Sequence, residues 1–235
     1  MHIPDGFINA GVSAGAGVVA AGGIGVSLRK AAKTLEERQA PLAGLVAAFI
    51  FAVQMLNFPV AAGTSGHLLG GVLAAVLVGP WAGAICVALV IVVQGLFFAD
   101  GGLSALGLNI INMSLITAFA GYAIFALLRT ALPKTRSMTS ASAGIAAAIS
   151  VVLAAGGFVL EYALGGTGNA PISTVTAAML GVHVLIGIGE GIITALTVGA
   201  VLAVRPDLVY GARGLTPRLE IRAVEPTAER AVARR

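Results

Sequence analysis

The sequence predicts an all-α integral membrane protein, a bundle of about seven transmembrane helices with the N-terminus outside the cell and the C-terminus inside. Composition is the first reason, because 58% of the 235 residues are hydrophobic, only 10% are charged and the mean hydropathy is +0.99. A soluble domain carries roughly 25% charged residues, so this chain has too little polar surface to cover a water-exposed globule. The apolar segments and the positions of the basic residues are the other two reasons.

Seven apolar segments are long enough, or nearly long enough, to cross a bilayer as helices. They cover residues 7–28, 41–57, 68–80, 82–98, 107–128, 139–164 and 175–204. The second and third segments are short, and Gly66 and Pro80 bound the third. The ends of these two helices are therefore the least defined.

The basic residues orient the bundle. All 14 Lys and Arg residues lie in three places, which are segment 29–38, segment 129–136 and the tail from Arg205. With seven crossings, these places share one side of the membrane. The positive-inside rule makes that side cytoplasmic and the N-terminus external. The external loops are then those near residues 58–67, 99–106 and 165–174.

Charge and hydropathy divide the chain into a transmembrane domain over residues 1–204 and a tail over residues 205–235. The tail is mixed in charge and poor in large apolar residues, which predicts a flexible cytoplasmic extension. No basic n-region or early cleavage site surrounds the first apolar segment, so we expect Met1 to be the mature N-terminus. Because the net charge of +4 marks topology, no nucleic-acid partner is expected.

Two of the three histidines, His2 and His67, fall on the predicted external face. His67 follows a run rich in turn-forming residues, and Pro4-Asp5-Gly6 can bend the first residues back toward the helices. A histidine in either place can be an ordinary hydrogen-bonded surface group, so neither position alone identifies a metal site.

The N-terminus has the chemistry of a chelate. The Met1 amine, the backbone nitrogen of His2 and His2 Nδ1 can form a five-membered and a six-membered ring around one metal ion. If the amide is deprotonated, these nitrogens lie in a plane, and an imidazole from His67 would complete a square set of four nitrogens that suits nickel(II) or copper(II). Binding should weaken as pH falls, because each ligand nitrogen must give up its proton.

Glu190 and His183 lie in the last apolar segment. A carboxylate in hydrocarbon costs about 2.5 kcal/mol or more without a partner, so Glu190 needs one, and the candidate partners are Gln94, Asn109 and Asn112. We expect Glu190 and His183 to be structural polar locks, second-shell or gating groups, or members of a proton relay. The run Gly187-Ile188-Gly189-Glu190-Gly191 lacks a preceding strand and indicates helix packing rather than nucleotide binding.

Asp100, in a Gly-rich external loop, has two possible roles. Its carboxylate can orient a metal-ligating imidazole from the second shell, or it can cap the turn.

Several motifs, in order and spacing, resemble the CbiM/NikM family of substrate-binding components of energy-coupling-factor cobalt and nickel transporters. They are Met-His-Ile-Pro-Asp-Gly-Phe at positions 1–7, Asn-Phe-Pro-Val at 57–60, Gly-Thr-Ser-Gly-His-Leu-Leu-Gly-Gly at 63–71, Gln-Gly-Leu-Phe-Phe-Ala-Asp-Gly-Gly at 94–102 and His-Val-Leu-Ile-Gly-Ile-Gly-Glu-Gly at 183–191. The resemblance covers all seven predicted helices and omits the tail. Pro4-Asp5-Gly6 departs from the Met-Glu-Gly of many cobalt-type members, which leaves cobalt and nickel both open.

The resemblance implies a function and partners. It implies ATP-driven import of cobalt(II) or nickel(II) across a bacterial inner membrane, supplying cobalamin biosynthesis or nickel enzymes. It implies a CbiQ-like transmembrane coupling subunit, CbiO-like ATPase subunits and a small CbiN/NikN-like membrane subunit. It further implies a metal site made of Met1, His2 and His67. The polar residues themselves add second-shell or gating candidates, which are Asp100, Asn109, Asn112, His183 and Glu190. No resident cofactor is expected.

Two other classes of protein compete with this interpretation. A proton-coupled secondary metal transporter would use Glu190 and His183, but the His-x4-Asp-His motif of nickel and cobalt permeases is absent. An intramembrane hydrolase would need a motif such as His-Glu-x-x-His, which is also absent. The chain has no Gly-x-x-x-x-Gly-Lys-Ser/Thr loop, so we expect no enzyme activity of its own and ATP hydrolysis on partner subunits.

Overall fold

The computed structural model describes residues 1–35, 39–59 and 65–213, and each predicted apolar segment contains a helix. The helices are α1 (Ala10–Thr34), α2 (Ala40–Gln54), α3 (Gly71–Val78), α4 (Pro80–Phe97), α5 (Leu106–Ala131), α6 (Arg136–Gly165) and α7 (Ile172–Val204). Five of them, α1 and α4 to α7, are long and apolar enough to cross a membrane. The described part of the chain is therefore a helical bundle of the membrane-protein type, with α2 and α3 shorter than a full span.

Local sequence signals explain where the long helices begin and end. The Asn9 side chain accepts a hydrogen bond from the Val12 amide at 3.0 Å and caps α1. Thr135 caps α6 in the same way through the Met138 amide, at 3.2 Å. Pro80 occupies the first position of α4, where its missing N–H costs no hydrogen bond.

The third apolar segment differs from the helix predicted over residues 68–80. Residues 67–70 are not helical, and α3 begins only at Gly71 and ends at Val78. The reason is local, because Gly70 has a φ of +79° and cannot continue a right-handed helix. Eight helical residues span roughly 12 Å, so this segment reaches across the bundle as a short helix plus irregular backbone.

Irregular backbone at membrane depth is tolerated only where protein surrounds it. That condition holds here, since every residue of α3 is buried and Leu69 is fully buried before it. Residues 67–70 are preceded by a two-residue antiparallel strand pair, β1 (Phe58–Pro59) with β2 (Ser65–Gly66). His67 directly follows the second strand of this pair.

Helices α6 and α7 pack closely through small residues. A side chain on Gly144 would overlap the Gly191 carbonyl, and one on Gly187 would overlap the Ala148 carbonyl. The two backbones therefore approach each other where glycine removes the Cβ. The prediction that Gly187 and Gly191 serve helix packing is confirmed.

The central part of α5 is wound as a π-helix over Ile111–Ala120. Within it, the Ser114 hydroxyl donates to the Ala84 carbonyl of α4 at 2.7 Å, and Thr117 donates to Met113 at 2.6 Å. Such wide turns are rare and are often found at functional sites. Here the π segment begins two residues after Asn109.

The folded chain continues past the boundary predicted at residue 204. Two 3₁₀ turns, Pro206–Leu208 and Tyr210–Ala212, follow α7, and Val209 and Ala212 are buried. The Tyr210 ring packs edge-on against Tyr122, with centroids 5.9 Å apart. Residues 205–213 are thus docked on the bundle, and the remainder of the predicted tail lies outside the described residues.

The two ends of the bundle differ in charge. The N-terminal segment, the loop after α4 and the loop after α6 meet at one end, which we call the polar end. There the Gly102 amide donates to the Ile3 carbonyl, and the Thr167 amide donates to the Phe7 carbonyl. Every Lys and Arg that the structure describes lies at the opposite end, which we call the basic end, or just inside it. These residues are Arg29, Lys30, Lys33, Arg129, Lys134, Arg136, Arg205 and Arg213.

Candidate metal-binding site

The first residues of the chain are buried inside the polar end of the bundle. Met1 and Ile3 are 0% exposed and His2 is 3% exposed. The Asn109 side chain of α5 forms hydrogen bonds with both polar groups of the Ile3 backbone. Its Oδ1 accepts from the Ile3 amide at 2.7 Å, and its Nδ2 donates to the Ile3 carbonyl at 3.3 Å. The amide of Gly102 donates to the same carbonyl at 2.8 Å. The N-terminus is therefore a fixed part of the fold.

A turn directs the N-terminal segment back into the bundle, as Pro4-Asp5-Gly6 predicts. The Phe7 amide donates to the Pro4 carbonyl at 3.4 Å, and Gly6 has a φ of +74°. The Asp5 carboxylate accepts from both the amide and the hydroxyl of Ser104, at 2.8 and 2.6 Å. These bonds hold the pKa of Asp5 below its usual value.

The two predicted imidazole ligands lie in contact. His67 Nε2 is 3.1 Å from His2 Nδ1, and the ring centroids are 4.6 Å apart. Asp100 Oδ1 is 3.0 Å from the same His2 nitrogen, and Asn57 donates to the other Asp100 oxygen at 3.3 Å. The prediction that His2 and His67 share one end of the bundle is confirmed, and Asp100 joins them there.

The loop that carries Asp100 is built around a strained turn. Ala99 has a φ of +52°, a left-handed conformation that costs an L-residue roughly 1–2 kcal/mol. The Asp100 amide donates to the Gln94 carbonyl at 3.2 Å and closes the end of α4 around this residue. At Gly102 a side chain would overlap the Asp5 backbone, so only glycine lets the loop approach the N-terminal segment.

Burial makes the site nitrogens neutral. Burial lowers the pKa of the Met1 amine to about 4, although the Asp100 carboxylate acts in the opposite direction. Burial also lowers the pKa of His2, against the hydrogen bond to Asp100. For Asp100, the His2 and Asn57 hydrogen bonds outweigh burial and lower its pKa. At neutral pH the amine and the His2 imidazole thus have free lone pairs beside one carboxylate.

The hydrogen bonds indicate which ring nitrogens carry protons. His67 Nδ1 lies 2.7 Å from the Leu68 carbonyl, which only accepts, so Nδ1 carries the proton and Nε2 has a lone pair. His2 Nδ1 faces that lone pair and the Asp100 carboxylate, so its proton lies on Nδ1. His2 Nε2 is then a buried acceptor without a partner among the described residues.

Gln94 of α4 is a neighbour of the His2 side chain. The Gln94 amide is near enough to interact with the His2 imidazole, yet its Oε1 is buried and has no hydrogen-bond partner in the described part of the chain. Each of the two side chains thus has one buried polar atom without a partner in the described part of the chain. Sequence analysis named Gln94 only as a partner for Glu190.

The other candidates bond to groups other than His2 and His67, although His183 is near enough to His67 to interact with it electrostatically. Asn112 donates to the Glu161 carboxylate at 2.5 Å, in a buried pair between α5 and α6. His183 is fully buried on α7 with Nδ1 2.7 Å from the Met179 carbonyl. Glu190 accepts from the amides of Leu69 and Gly70 rather than from Gln94, Asn109 or Asn112. The sequence predicted side-chain amides as partners of Glu190, and that prediction was wrong. The break in the third helix, which leaves the Leu69 and Gly70 amides free to donate, was not predicted.

A metal ion bound here would need backbone nitrogen. Within residues 1–35, 39–59 and 65–213, no three His, Cys, Asp or Glu side chains converge to hold a metal ion. Beside the Asp100 carboxylate, which contacts His2 Nδ1, the nitrogen groups that lie together are one terminal amine, one backbone amide and two imidazoles. This donor set is the one that a chelate by the first two residues uses.

Comparison with known proteins places this geometry in a family. The profile of the CbiM family, described as the cobalt uptake substrate-specific transmembrane region, matches residues 2–208. The chain belongs to the CbiM family. The match begins at His2 and ends beyond α7, so the polar end of the bundle and its seven helices all lie within it.

Related proteins carry names of metal transporters. The chain is 37% identical over 210 residues to a putative metal transport protein of Haloquadratum walsbyi, covering 89% of this chain and 94% of the relative. It is also 37% identical over 209 residues to a putative fused nickel transport protein NikMN of Archaeoglobus fulgidus, covering 89% and 68% of the two chains.

A solved structure shares the fold. The crystal structure of a truncated transition metal transporter superposes with a TM-score of 0.79 at 31% sequence identity, covering 86% of this chain and 99% of that one. This CbiM-family chain is accordingly a multi-pass membrane protein related to cobalt and nickel transport proteins.

Proposed function

We propose that this protein is the substrate-binding membrane component of an ATP-driven energy-coupling-factor transporter that imports cobalt(II) or nickel(II). The observation that carries the proposal is the buried N-terminus. Burying a free amine with 0% exposure beside two imidazoles in contact carries a desolvation cost. A cation that binds all of them gives that burial a purpose.

In the proposed complex, the His2 amide releases its proton to solvent, and the Met1 amine, the His2 amide nitrogen, His2 Nδ1 and His67 Nε2 bind the ion. Nδ1 is the nitrogen that closes a six-membered ring with the amide of its own residue. His67 Nε2 supports the proposal as the fourth ligand, because it lies 3.1 Å from His2 Nδ1 and its own proton is on Nδ1. Four nitrogens of this kind suit a late first-row divalent ion rather than magnesium or calcium.

Chelation through Nδ1 requires the His2 proton to move to Nε2. Asp100 then loses its hydrogen bond from Nδ1, while Nε2–H gains the orphaned Gln94 Oε1 as an acceptor. Gln94 therefore fits the role of the outer partner that fixes the tautomer of a metal-ligating histidine. Asp100 is left as a carboxylate that balances the charge of the ion.

Energy and assembly come from other chains in this proposal. The sequence contains no phosphate-binding loop, so ATP is hydrolysed on CbiO-like subunits that act through a CbiQ-like coupling subunit. The fused NikMN name of the Archaeoglobus relative, of which this chain covers 68%, supports a separate small NikN-like subunit as a further partner. The site of action is the bacterial inner membrane.

Uptake measurements test the proposed mechanism. We expect cells that express this chain with its partner subunits to accumulate radioactive nickel or cobalt, and we expect accumulation to fall to background when the ATPase nucleotide-binding lysine is changed to alanine. The purified chain alone should not hydrolyse ATP. Uptake that survives the ATPase mutation and collapses with a protonophore would instead establish a proton-coupled secondary transporter.

We propose the orientation with the N-terminus outside, because it puts the basic end of the bundle in the cytoplasm. Cysteines at two exposed loop positions, Asn169→Cys at the polar end and Lys134→Cys at the basic end, report on it in a Cys86→Ala background. An impermeant thiol reagent should label position 169 in intact cells and position 134 only after lysis. The opposite labelling pattern would refute the orientation.

A further inference from the structure

The segment that carries His67 lacks the hydrogen bonds of regular structure. Residues 67–70 are neither helix nor strand, and α3 begins immediately after them, so their amides have no preceding turn to donate to. Leu69 is fully buried, and water cannot take the place of a partner. Side chains from other helices must therefore hold this backbone in place.

Glu190 of α7 supplies the main support. Its Oε2 accepts from the Leu69 amide at 2.5 Å, and its Oε1 accepts from the Gly70 amide at 2.8 Å. The residue is 2% exposed, and no Lys or Arg lies near it among the described residues. Both carboxylate oxygens are thus used on two consecutive amides, two and three residues after His67.

Gln54 of α2 completes the support from the opposite side. Its Nε2 donates to the Leu69 carbonyl at 2.7 Å. The Leu69 peptide is consequently held by one side chain at its amide and by another at its carbonyl. The His67 ring adds one bond of its own, from Nδ1 to the Leu68 carbonyl. His67 is therefore at the end of a short segment whose position depends on Glu190 and Gln54.

We infer that Glu190 is a positioning residue for the cation site: by accepting the Leu69 and Gly70 amides, it holds the backbone that sets His67 Nε2 against His2. The inference rests on the proposed function. It explains why an acidic side chain is kept deep in an apolar helix, since a carboxylate offers two acceptors at the spacing of adjacent amides. It also means that a movement of α7 would shift the backbone next to His67 and so change the position of a cation ligand.

Glu161 provides a matched control. It is the other described acidic residue within a long apolar helix, it is 9% exposed, and it accepts from Asn112 instead of the 67–70 segment. Glu190→Gln and Glu161→Gln remove the same charge at nearly constant volume. Glu190→Asp keeps the charge but shortens the side chain, so it cannot reach both amides, and it replaces Glu190→Gln if that variant does not fold.

Hydrogen exchange on the metal-free protein is the first measurement. Peptides that cover residues 66–72 should exchange at least about tenfold faster in Glu190→Gln than in wild type, and they should be unchanged in Glu161→Gln. The hydrogen-exchange measurement needs no metal. It therefore still tests whether Glu190 holds the 67–70 backbone, even if wild type fails to bind nickel or cobalt and the proposed function is wrong. Equal protection in all three proteins would overturn the inference.

A double-mutant cycle is the second measurement. Glu190→Gln should weaken nickel binding about 10–100-fold, the usual effect of losing an outer partner of a ligand, and Glu161→Gln should leave it within about twofold. In a His67→Ala background the Glu190→Gln change should have almost no further effect, because its target is gone. A loss of the same size in both backgrounds would show general destabilisation and would refute positioning through His67.

Discussion

Adding a single residue before Met1 should abolish high-affinity binding of nickel(II) and cobalt(II) while the helical bundle stays folded. The addition converts the Met1 amine into an amide, which removes one ligand outright and displaces the beginning of the chelate. The structure also leaves no space for an added residue. Met1 is 0% exposed, and Asn109 fixes the backbone two residues later, at Ile3. Calorimetric titration of the metal into detergent-solubilised protein should show no binding in the micromolar range.

A cleavable extension provides the control for this prediction. A short leader that ends in a protease recognition sequence, cut directly before Met1, should block binding before cleavage and restore it afterwards in the same preparation. The unfolding temperature should stay that of a folded bundle in both forms. If the uncut protein binds metal with wild-type affinity, the N-terminal chelate is excluded, and the site would have to be sought among His67, His183 and Asp100.

Sequence analysis predicted the helices well where they are long. The composition and the spacing of apolar segments were enough to place α4 to α7 within a few residues, because a helix that crosses a membrane must be apolar over its whole length. The third segment was the exception. A hydropathy pattern cannot distinguish a buried helix from buried irregular backbone, and the break at Gly70 is supported by Gln54 and Glu190, which are distant in sequence.

The components of the candidate site were predictable, but several contacts were not. Met1, His2 and His67 were proposed as ligands from the chelating chemistry of an N-terminal Met-His together with the resemblance to the CbiM/NikM family. Ser104 and Gln94 were missed as site residues, because serine and glutamine carry no signal of their own. Only the fold shows that Ser104 holds Asp5. For Gln94, the neighbouring Ala99-Asp100-Gly101-Gly102 loop was the available clue, since it ends the same helix.

His67→Ala should weaken nickel binding by at least about 100-fold, and His2→Ala should abolish detectable binding. Loss of an outer partner of a metal ligand already costs about 10–100-fold, and His67 Nε2 is proposed as a ligand itself. His2 contributes more, because its Nδ1 closes the second chelate ring. The affinity of each purified variant can be measured by calorimetry or by competition with a chelator of known affinity.

His183→Ala is the matched control for the two substitutions. His183 is as buried as His67 and also has Nδ1 2.7 Å from a backbone carbonyl, that of Met179, so its removal leaves a comparable cavity. Because it is not among the proposed ligands, we expect binding within a few-fold of wild type at a similar cost in unfolding temperature. If His183→Ala and His67→Ala weakened binding equally, packing around the site rather than ligation by His67 would govern affinity. Equal loss would also remove the reason for placing the ion between His67 and the first two residues of the chain.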